Sequence, residues 1–203
     1  VGQIPWGHNV VIISKSKNHW RSYFLFKQND ENNWSRSVLL HQIELNFYER
    51  HGKAITNFTE TLPSPHSELA TETLKDPYKF DFLTLQEKAL EKDIEKQLVK
   101  HITSFLLELG TGFSFVGQQV PVKIDNQDFY IDLLFYHIKL KCYVVVELKA
   151  IEFKAEFAGK MNLYLSAIDD SLKTEAENPT IGLLLCKSKS EIIAEYALRG
   201  MTQ

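Results

Sequence analysis

The chain has 203 residues, of which 44% are hydrophobic and 24% are charged, and its formal net charge is −3 at pH 7. This composition is typical of a globular protein and excludes disordered, collagen-like and low-complexity chains. The small negative charge argues against a surface that binds nucleic acid everywhere, but it leaves room for a local basic groove.

Apolar runs in the chain are short. Examples such as Tyr143 to Val146 and Ile181 to Cys186 are far below the roughly 18 residues that a membrane-spanning helix needs. The sequence as given shows no signal-peptide pattern ahead of them, so we expect none. Cys142 and Cys186 lie within such runs, which indicates buried strand cysteines in a reducing compartment. We therefore expect a cytoplasmic protein with no membrane partner. Because the chain starts at Val1 rather than Met, we also expect a truncated N-terminus.

The first sixty residues show helical periodicity. Apolar residues recur at three- and four-residue intervals after the capping sequence Asn33-Trp34-Ser35, which predicts one helix from about Ser35 to Glu49. Two earlier helices are expected near Trp6 to Ser14 and Lys17 to Phe26. Val10 to Ile13 would equally suit a short strand.

A polar stretch broken by prolines, Leu62-Pro63-Ser64-Pro65-His66-Ser67, indicates a domain boundary. We expect a mostly helical N-terminal domain over residues 1–62 and a linker over residues 63–75. A second domain is expected over residues 76–203.

The second domain begins with a long amphipathic pattern from Thr84 to Leu109, which Gly110 ends. The hydrophobic period then changes to two, which predicts three strands: Phe115 to Ile124, Phe129 to His137 and Cys142 to Lys149. The remaining elements are a helix from about Lys154 to Ile168, an apolar strand from Ile181 to Cys186 and a helix from Ser190 to Leu198. This order predicts an α/β fold with a mixed sheet, whose last strand is added in parallel by a helical crossover.

Charged residues interrupt two of the apolar strands. Asp132 lies inside the second strand, and Glu147 and Lys149 end the third. Such charges are costly to bury unless they are paired or bound to a metal. Glu147 and Lys149 share a strand face, and a hairpin would bring Asp132 beside them. The alternative is a structural ion pair with nothing bound.

Two adjacent carboxylates suit Mg²⁺ or Mn²⁺, which prefer oxygen ligands, and the backbone carbonyl of Leu148 is a candidate third ligand. Such an ion would activate a water and neutralise charge on a phosphate under in-line attack. Lys149 would orient or help deprotonate that water and stabilise the transition state. Glu95 or Glu108, from the preceding helix, would complete the site.

The helix, the hairpin with Asp132, the sequence Glu147-Leu148-Lys149 and the next helix resemble the core of the PD-(D/E)XK nuclease superfamily, the restriction-endonuclease-like fold. Three segments are similar to the YhcG-like nucleases: Phe105 to Gly117, Phe129 to His137 and Asn178 to Gly182. The N-terminal helix that ends in Phe47-Tyr48-Glu49-Arg50 resembles that family's winged-helix-like domain, which is thought to bind DNA.

The resemblance assigns roles to matching residues. It implies that Asp132, Glu147 and Lys149 are the superfamily's Asp, Glu and Lys. Glu95 matches the helix acid better than Glu108 does, because Glu108 lies in the last turn of the predicted helix.

Some positions depart from the superfamily pattern. Ile131 stands where Pro is expected before the Asp, and this change removes no ligand. Lys160 or Asn162 stands where many members carry a Gln in the helix after the Lys. Gln118 and Gln119 are interpreted as solvated strand residues rather than as hydrogen-bond donors to a phosphate.

The leading hypothesis is an endonuclease that needs Mg²⁺ and cleaves DNA. A homodimer is the oligomeric state that agrees with this hypothesis. The alternative is a non-catalytic nucleic-acid-binding or scaffold protein that retains the fold, which would bind phosphate with a salt-dependent slope and need no metal. An RNase that uses the same site is a third hypothesis, because nothing in the sequence identifies contacts to the 2′-OH.

Overall fold

The computed structural model describes residues 4–54, 56, 58, 62, 64, 66–73, 90–189 and 191–198. The elements in the first part are α1 (Trp6–Lys15), α2 (His19–Asn32), α3 (Arg36–Glu44), α4 (Phe47–Arg50) and α5 (His66–Thr73). The helix alternative for Val10 to Ile13 is confirmed, since these residues lie within α1. None of the helices in the described ranges is long and apolar enough to cross a membrane.

Short polar side chains determine where the N-terminal helices begin. The Asn18 side chain accepts hydrogen bonds from the amides of Trp20 and Arg21 at the start of α2, and Ser35 accepts one from the amide of Val38 at the start of α3. The apolar faces of these helices form one cluster of buried residues: Val11, Ile12, Leu25, Leu39 and Ile43.

One feature of the first part differs from the sequence expectation, and a second is a helix that was not predicted. The single helix predicted to Glu49 is interrupted at Asn46, whose φ of 53° is left-handed, a region that Asn tolerates better than most residues. Helix α5 lies within the stretch expected to be a linker, and Ala70 on this helix is buried against the sheet core.

The amphipathic stretch of the second part forms two helices, α6 (Glu91–Lys100) and α7 (Ile102–Leu109). One continuous helix was expected. The backbone of His101, with φ −108° and ψ 36°, leaves the helical region and separates the two. The predicted start at Thr84 lies outside the described residues.

A four-stranded sheet follows in the order β1 (Phe113–Ile124), β2 (Gln127–His137), β3 (Cys142–Glu152) and β4 (Ile181–Ser188). Strands β1, β2 and β3 are antiparallel neighbours, and β4 is parallel to β3. Helix α8 (Ala155–Ser171) makes the crossover, and α9 (Glu191–Leu198) comes last. The predicted mixed α/β sheet is therefore confirmed.

Apolar residues are buried on both faces of the sheet. One face carries Leu133, Val144 and Val146 and packs against Leu98 and Phe105 of α6 and α7. The other carries Ile131, Leu134 and Val145 and packs against Met161, Tyr164 and Ile168 of α8. Helices therefore pack on both faces of the sheet, and residues on β2, β3, α6 and α8 reach one common site.

Candidate active site

Asp132 and Glu147 lie side by side on neighbouring strands. Leu133 pairs with Val146 across β2 and β3, which places the next residues along the ladder, Asp132 and Glu147, beside each other. The backbone amide of Leu148 donates a 2.8 Å hydrogen bond to Asp132 Oδ2. The hairpin expected from the sequence thus brings both carboxylates to one position.

Glu147 is the most deeply buried charge of this group, with 1% of its surface exposed. The Nζ atoms of Lys149 and Lys160 form ion pairs with its Oε2, at distances of 3.4 Å and 3.3 Å respectively. Its Oε1 is buried and has no hydrogen-bond partner among the described residues. Burial first, and then the charge of Asp132, raise the pKa of Glu147, while the two lysines partly offset this. Among the described residues, the site therefore holds a carboxylate oxygen that lacks a donor.

Lys149 is held by several acceptors. Its Nζ lies 2.9 Å from the carbonyl oxygen of Leu148 and 3.4 Å from Glu91 Oε2, in addition to its contact with Glu147. The other oxygen of Glu91 accepts a 3.4 Å hydrogen bond from the amide of Ala150. Glu91, at the start of α6, therefore fixes both the lysine and the strand that carries it.

Glu95, one turn further along α6, reaches the same site through Gln119. The side-chain nitrogen of Gln119 lies 2.8 Å from Glu95 Oε2 and 3.4 Å from Asp132 Oδ1. Burial and the charge of Asp132 raise the pKa of Glu95, and the hydrogen bond from Gln119 lowers it in part. Gln119 thus links Glu95 to Asp132, which lies beside Glu147.

Glu108, the other candidate acid, points elsewhere. Its carboxylate is fully buried and forms an ion pair with the guanidinium of Arg50, with Arg50 Nη2 lying 3.4 Å from Oε2. Of the two candidates, the structure brings Glu95 to Asp132.

Three residues of this site received no role from the sequence: Gln119, Glu91 and Lys160. Gln119 was interpreted as a solvated strand residue, and although it is exposed, its amide contacts two carboxylates. Of Lys160 and Asn162, it is Lys160 that contacts Glu147. The spacing of Glu91 and Glu95, one helical turn apart, is the signal that would have placed Glu91 on the same face as Glu95.

The donor atoms fit a hard divalent cation. No group of three or more His, Cys, Asp or Glu residues that would hold a metal occurs in the described ranges. Asp132, Glu147 and the Leu148 carbonyl nevertheless supply only oxygen donors, and Mg²⁺ is bound by one or two carboxylates while it keeps several waters. The buried Oε1 of Glu147, which has no partner among the described residues, is an available ligand position. The Leu148 carbonyl retains a second lone pair beside its contact with Lys149.

The sheet with its flanking helices and the Asp132, Glu147 and Lys149 cluster define a restriction-endonuclease-like fold of the PD-(D/E)XK type. Residues 71–203 match the model of the YhcG PDDEXK nuclease domain, and residues 1–50 match the DUF1016 N-terminal domain. The chain belongs to the YhcG PDDEXK nuclease family. Nucleases of the PDDEXK class generally use divalent metals.

The chain is also similar to a curated protein from Escherichia coli (strain K12), named "Putative nuclease YhcG", with 36% identity over 202 residues. The match covers 98% of this chain and 53% of that protein, so the chain spans about half the length of this relative. Among solved structures, the crystal structure of a repair endonuclease from Pyrococcus abyssi aligns with a TM-score of 0.40 and 14% identity, over 58% of this chain and 46% of that one.

Proposed function

We propose that this chain is a nuclease that depends on a divalent cation, Mg²⁺ or Mn²⁺, and hydrolyses phosphodiester bonds in DNA. The observation that carries the proposal is the pairing of Asp132 and Glu147 on adjacent strands, with Lys149 beside them. Glu147 Oε1 is buried and has no partner within the described part of the chain. The membership of the chain in a nuclease family supports the same reaction class.

Each residue of the site has a role in this proposal. Asp132, Glu147 and the Leu148 carbonyl would hold the ion, which supplies an activated water and neutralises phosphate charge. The Lys149 ammonium, fixed by Leu148 and Glu91, would orient the attacking water and stabilise negative charge as it develops on the phosphate. Glu95 would correspond to the acidic residue that members of the superfamily carry on the helix before the strands.

DNA is the proposed substrate because the N-terminal part resembles a winged-helix-like domain. Its α1 and α2 region exposes Lys15, Lys17 and Lys27, which can contact phosphates and position a duplex without reading its sequence. We further propose the division into an N-terminal domain over residues 1–62, a linker over 63–75 and a nuclease domain over 76–203. A homodimer, which would let two sites cut two strands, is part of the same proposal.

A non-catalytic nucleic-acid-binding or scaffold role is the second candidate. The observation that favours it is the ion-pair network itself, in which both Lys149 and Lys160 contact Glu147 Oε2 and offset its charge without a metal. This role requires phosphate affinity that falls with salt and does not change with divalent cations.

Calorimetric titration of Mg²⁺ and Mn²⁺ into the protein distinguishes the two candidates. The same samples are incubated with supercoiled plasmid and, separately, with a structured RNA. Asp132→Asn keeps an acceptor for the Leu148 amide but removes a charged ligand, so we expect it to lose both ion binding and plasmid nicking. Asp128→Asn, at an exposed position of the same strand, is the matched control and should retain both. Ion binding and nicking that survive in Asp132→Asn would contradict the proposed site, and cleavage of RNA alone would change the substrate.

A further inference from the structure

Lys160 contacts the site from its rim. Its Nζ lies 3.3 Å from Glu147 Oε2, the same oxygen that Lys149 reaches at 3.4 Å. The Lys160 side chain is 46% exposed, whereas that of Lys149 is 10% exposed. One ammonium therefore approaches Glu147 from the interior and the other from the solvent side.

The ring of Tyr164 keeps the Lys160 ammonium close to the site. Lys160 and Tyr164 lie four residues apart on α8, so their side chains are neighbours on one helix face. The ammonium lies 5.0 Å from the centroid of the ring, which is a cation–π contact. Tyr164 is itself buried, and its hydroxyl donates a 3.2 Å hydrogen bond to the carbonyl of Tyr130. The Lys160 ammonium thus has two contacts, with Glu147 and with the ring of Tyr164, that favour a position at the site.

The two lysines differ in the contacts that they would retain if Glu147 bound another cation. Lys149 retains the Leu148 carbonyl and Glu91. Within the described part of the chain, Glu147 is the carboxylate that Lys160 contacts, and Tyr164 is its other neighbour. Lys160 is thus the ammonium that becomes available to a new anion.

The surface beside Lys160 is open. The position that a Cβ of Gly159 would take has nothing within 4 Å. Glycine inside a helix costs about 1 kcal/mol relative to alanine, and no contact within the described part of the chain requires it at this position. A glycine here leaves room for a ligand backbone to approach the helix next to the ammonium.

From these contacts we infer that Lys160 is a substrate-binding residue of the site. It neutralises Glu147 while no divalent ion is bound, competes with that ion for the carboxylate, and then contacts a non-bridging oxygen of a substrate phosphate. This inference rests on the proposed function. The contact between the Lys160 ammonium and the phosphate oxygen would be a charge-assisted hydrogen bond. A glutamine at this position could donate a hydrogen bond but would carry no charge.

Lys160→Gln and Lys160→Met test the inference, with Lys154→Met as the matched control. Lys154 precedes the same helix and is exposed, and its ion pair with Glu156 lies outside the site. Calorimetry without nucleic acid measures the affinity for Mg²⁺. Because exposed ion pairs contribute up to about 1 kcal/mol, we expect both Lys160 variants to bind the ion about twofold to fivefold more tightly than the parent protein and the control.

Binding of a short DNA duplex is then measured over a range of salt concentrations, with Ca²⁺ in place of Mg²⁺ so that the duplex stays uncut. Loss of one phosphate contact should reduce the slope of log affinity against log salt by about 1 in both Lys160 variants, and leave it unchanged in Lys154→Met. An unchanged slope in the Lys160 variants overturns the inference while the proposed function stands. Failure of the parent protein to bind any divalent ion instead refutes the proposed function, and the inference with it.

Discussion

Gln119 Nε2 lies 2.8 Å from Glu95 Oε2, and this hydrogen bond joins β1 to α6 at the candidate site. The same nitrogen is 3.4 Å from Asp132 Oδ1. One neutral donor therefore lies between two carboxylates whose like charges repel each other. The backbone of Gln119 is left-handed, with a φ of 46°.

Shortening this side chain should weaken ion binding. Gln119→Asn tolerates the left-handed backbone but is one methylene too short to bridge Glu95 and Asp132. Loss of a residue that orients metal ligands typically reduces affinity by about 10- to 100-fold, and we expect a reduction in that range by calorimetry with Mg²⁺. Gln118→Asn, at the adjacent exposed position, is the control and should bind like the parent. Equal affinities in the two variants would remove Gln119 from the site.

His137 should make folding stability depend on pH. Burial lowers the pKa of this imidazole to about 4 from 6.5, and its Nδ1 accepts a 3.1 Å hydrogen bond from the amide of Leu140. The unfolded chain takes up the proton near pH 6.5 and the folded chain only near pH 4. The stabilisation is therefore complete above about pH 6.5 and is lost as the pH falls toward 4.

Urea unfolding at pH 7.5 and pH 5 measures this effect. We expect the contribution of His137 to the free energy of unfolding to fall by about 2 kcal/mol from pH 7.5 to pH 5. His137→Asn keeps an acceptor for the Leu140 amide but does not titrate in this range. For His137→Asn, the change in the free energy of unfolding between pH 7.5 and pH 5 should be smaller than for the parent by about 2 kcal/mol. This comparison does not depend on how stable the variant is at pH 7.5. The same difference in both proteins would show that His137 is not the group involved.

Two glycines predict opposite effects of the same substitution. Gly159 lies in α8 with open space at its Cβ position, so Gly159→Ala should stabilise the protein by roughly 0.5 to 1 kcal/mol. At Gly182 of β4 a Cβ would lie 2.6 Å from Cγ and Sδ of the buried Met161. Gly182→Ala should therefore destabilise the protein, by about 1 to 3 kcal/mol. Urea midpoints that move in the same direction for both variants would contradict this assignment of space.

The buried ion pair between Arg50 and Glu108 should be far more important for stability than a surface pair. Arg50→Met leaves a fully buried carboxylate without this guanidinium, which typically costs about 3 to 5 kcal/mol. Lys27→Met removes one partner of an exposed pair, in which Lys27 lies 3.7 Å from Glu31, and should cost less than about 1 kcal/mol. Thermal or urea unfolding measures both, and comparable losses would contradict the burial of the pair.

The sheet and the core of the site could be predicted because local patterns encode them. Alternation with a period of two marks the strands, and charges inside apolar strands mark Asp132, Glu147 and Lys149 as residues that need partners. The placement of these three residues together then follows from one short hairpin. No distant part of the chain is needed to bring them to one position.

Residues that depend on three-dimensional packing could not be predicted in this way. Gln119 faces Asp132 only because the register of β1 shifts between Phe115 and Gly117 and the backbone of Gln119 is left-handed. Lys160 reaches Glu147 only because α8 packs on one particular face of the sheet. The interruptions at Asn46 and His101 are single-residue departures from helical dihedral angles, to which a periodic pattern is insensitive.

The contacts of Arg50 and Gln42 cross the border between the two family regions. The first region ends at Arg50 and the second begins at residue 71, yet Arg50 pairs with Glu108, and Gln42 Nε2 donates a 3.0 Å hydrogen bond to the carbonyl of Leu107. Cutting the gene at that border would separate a guanidinium from its carboxylate and remove the donor to a carbonyl near the end of α7. Although separate family models match the two regions, Arg50 and Gln42 of the first supply polar partners to Glu108 and Leu107 of the second. We therefore expect the two regions to be exchanged between relatives only as a matched pair.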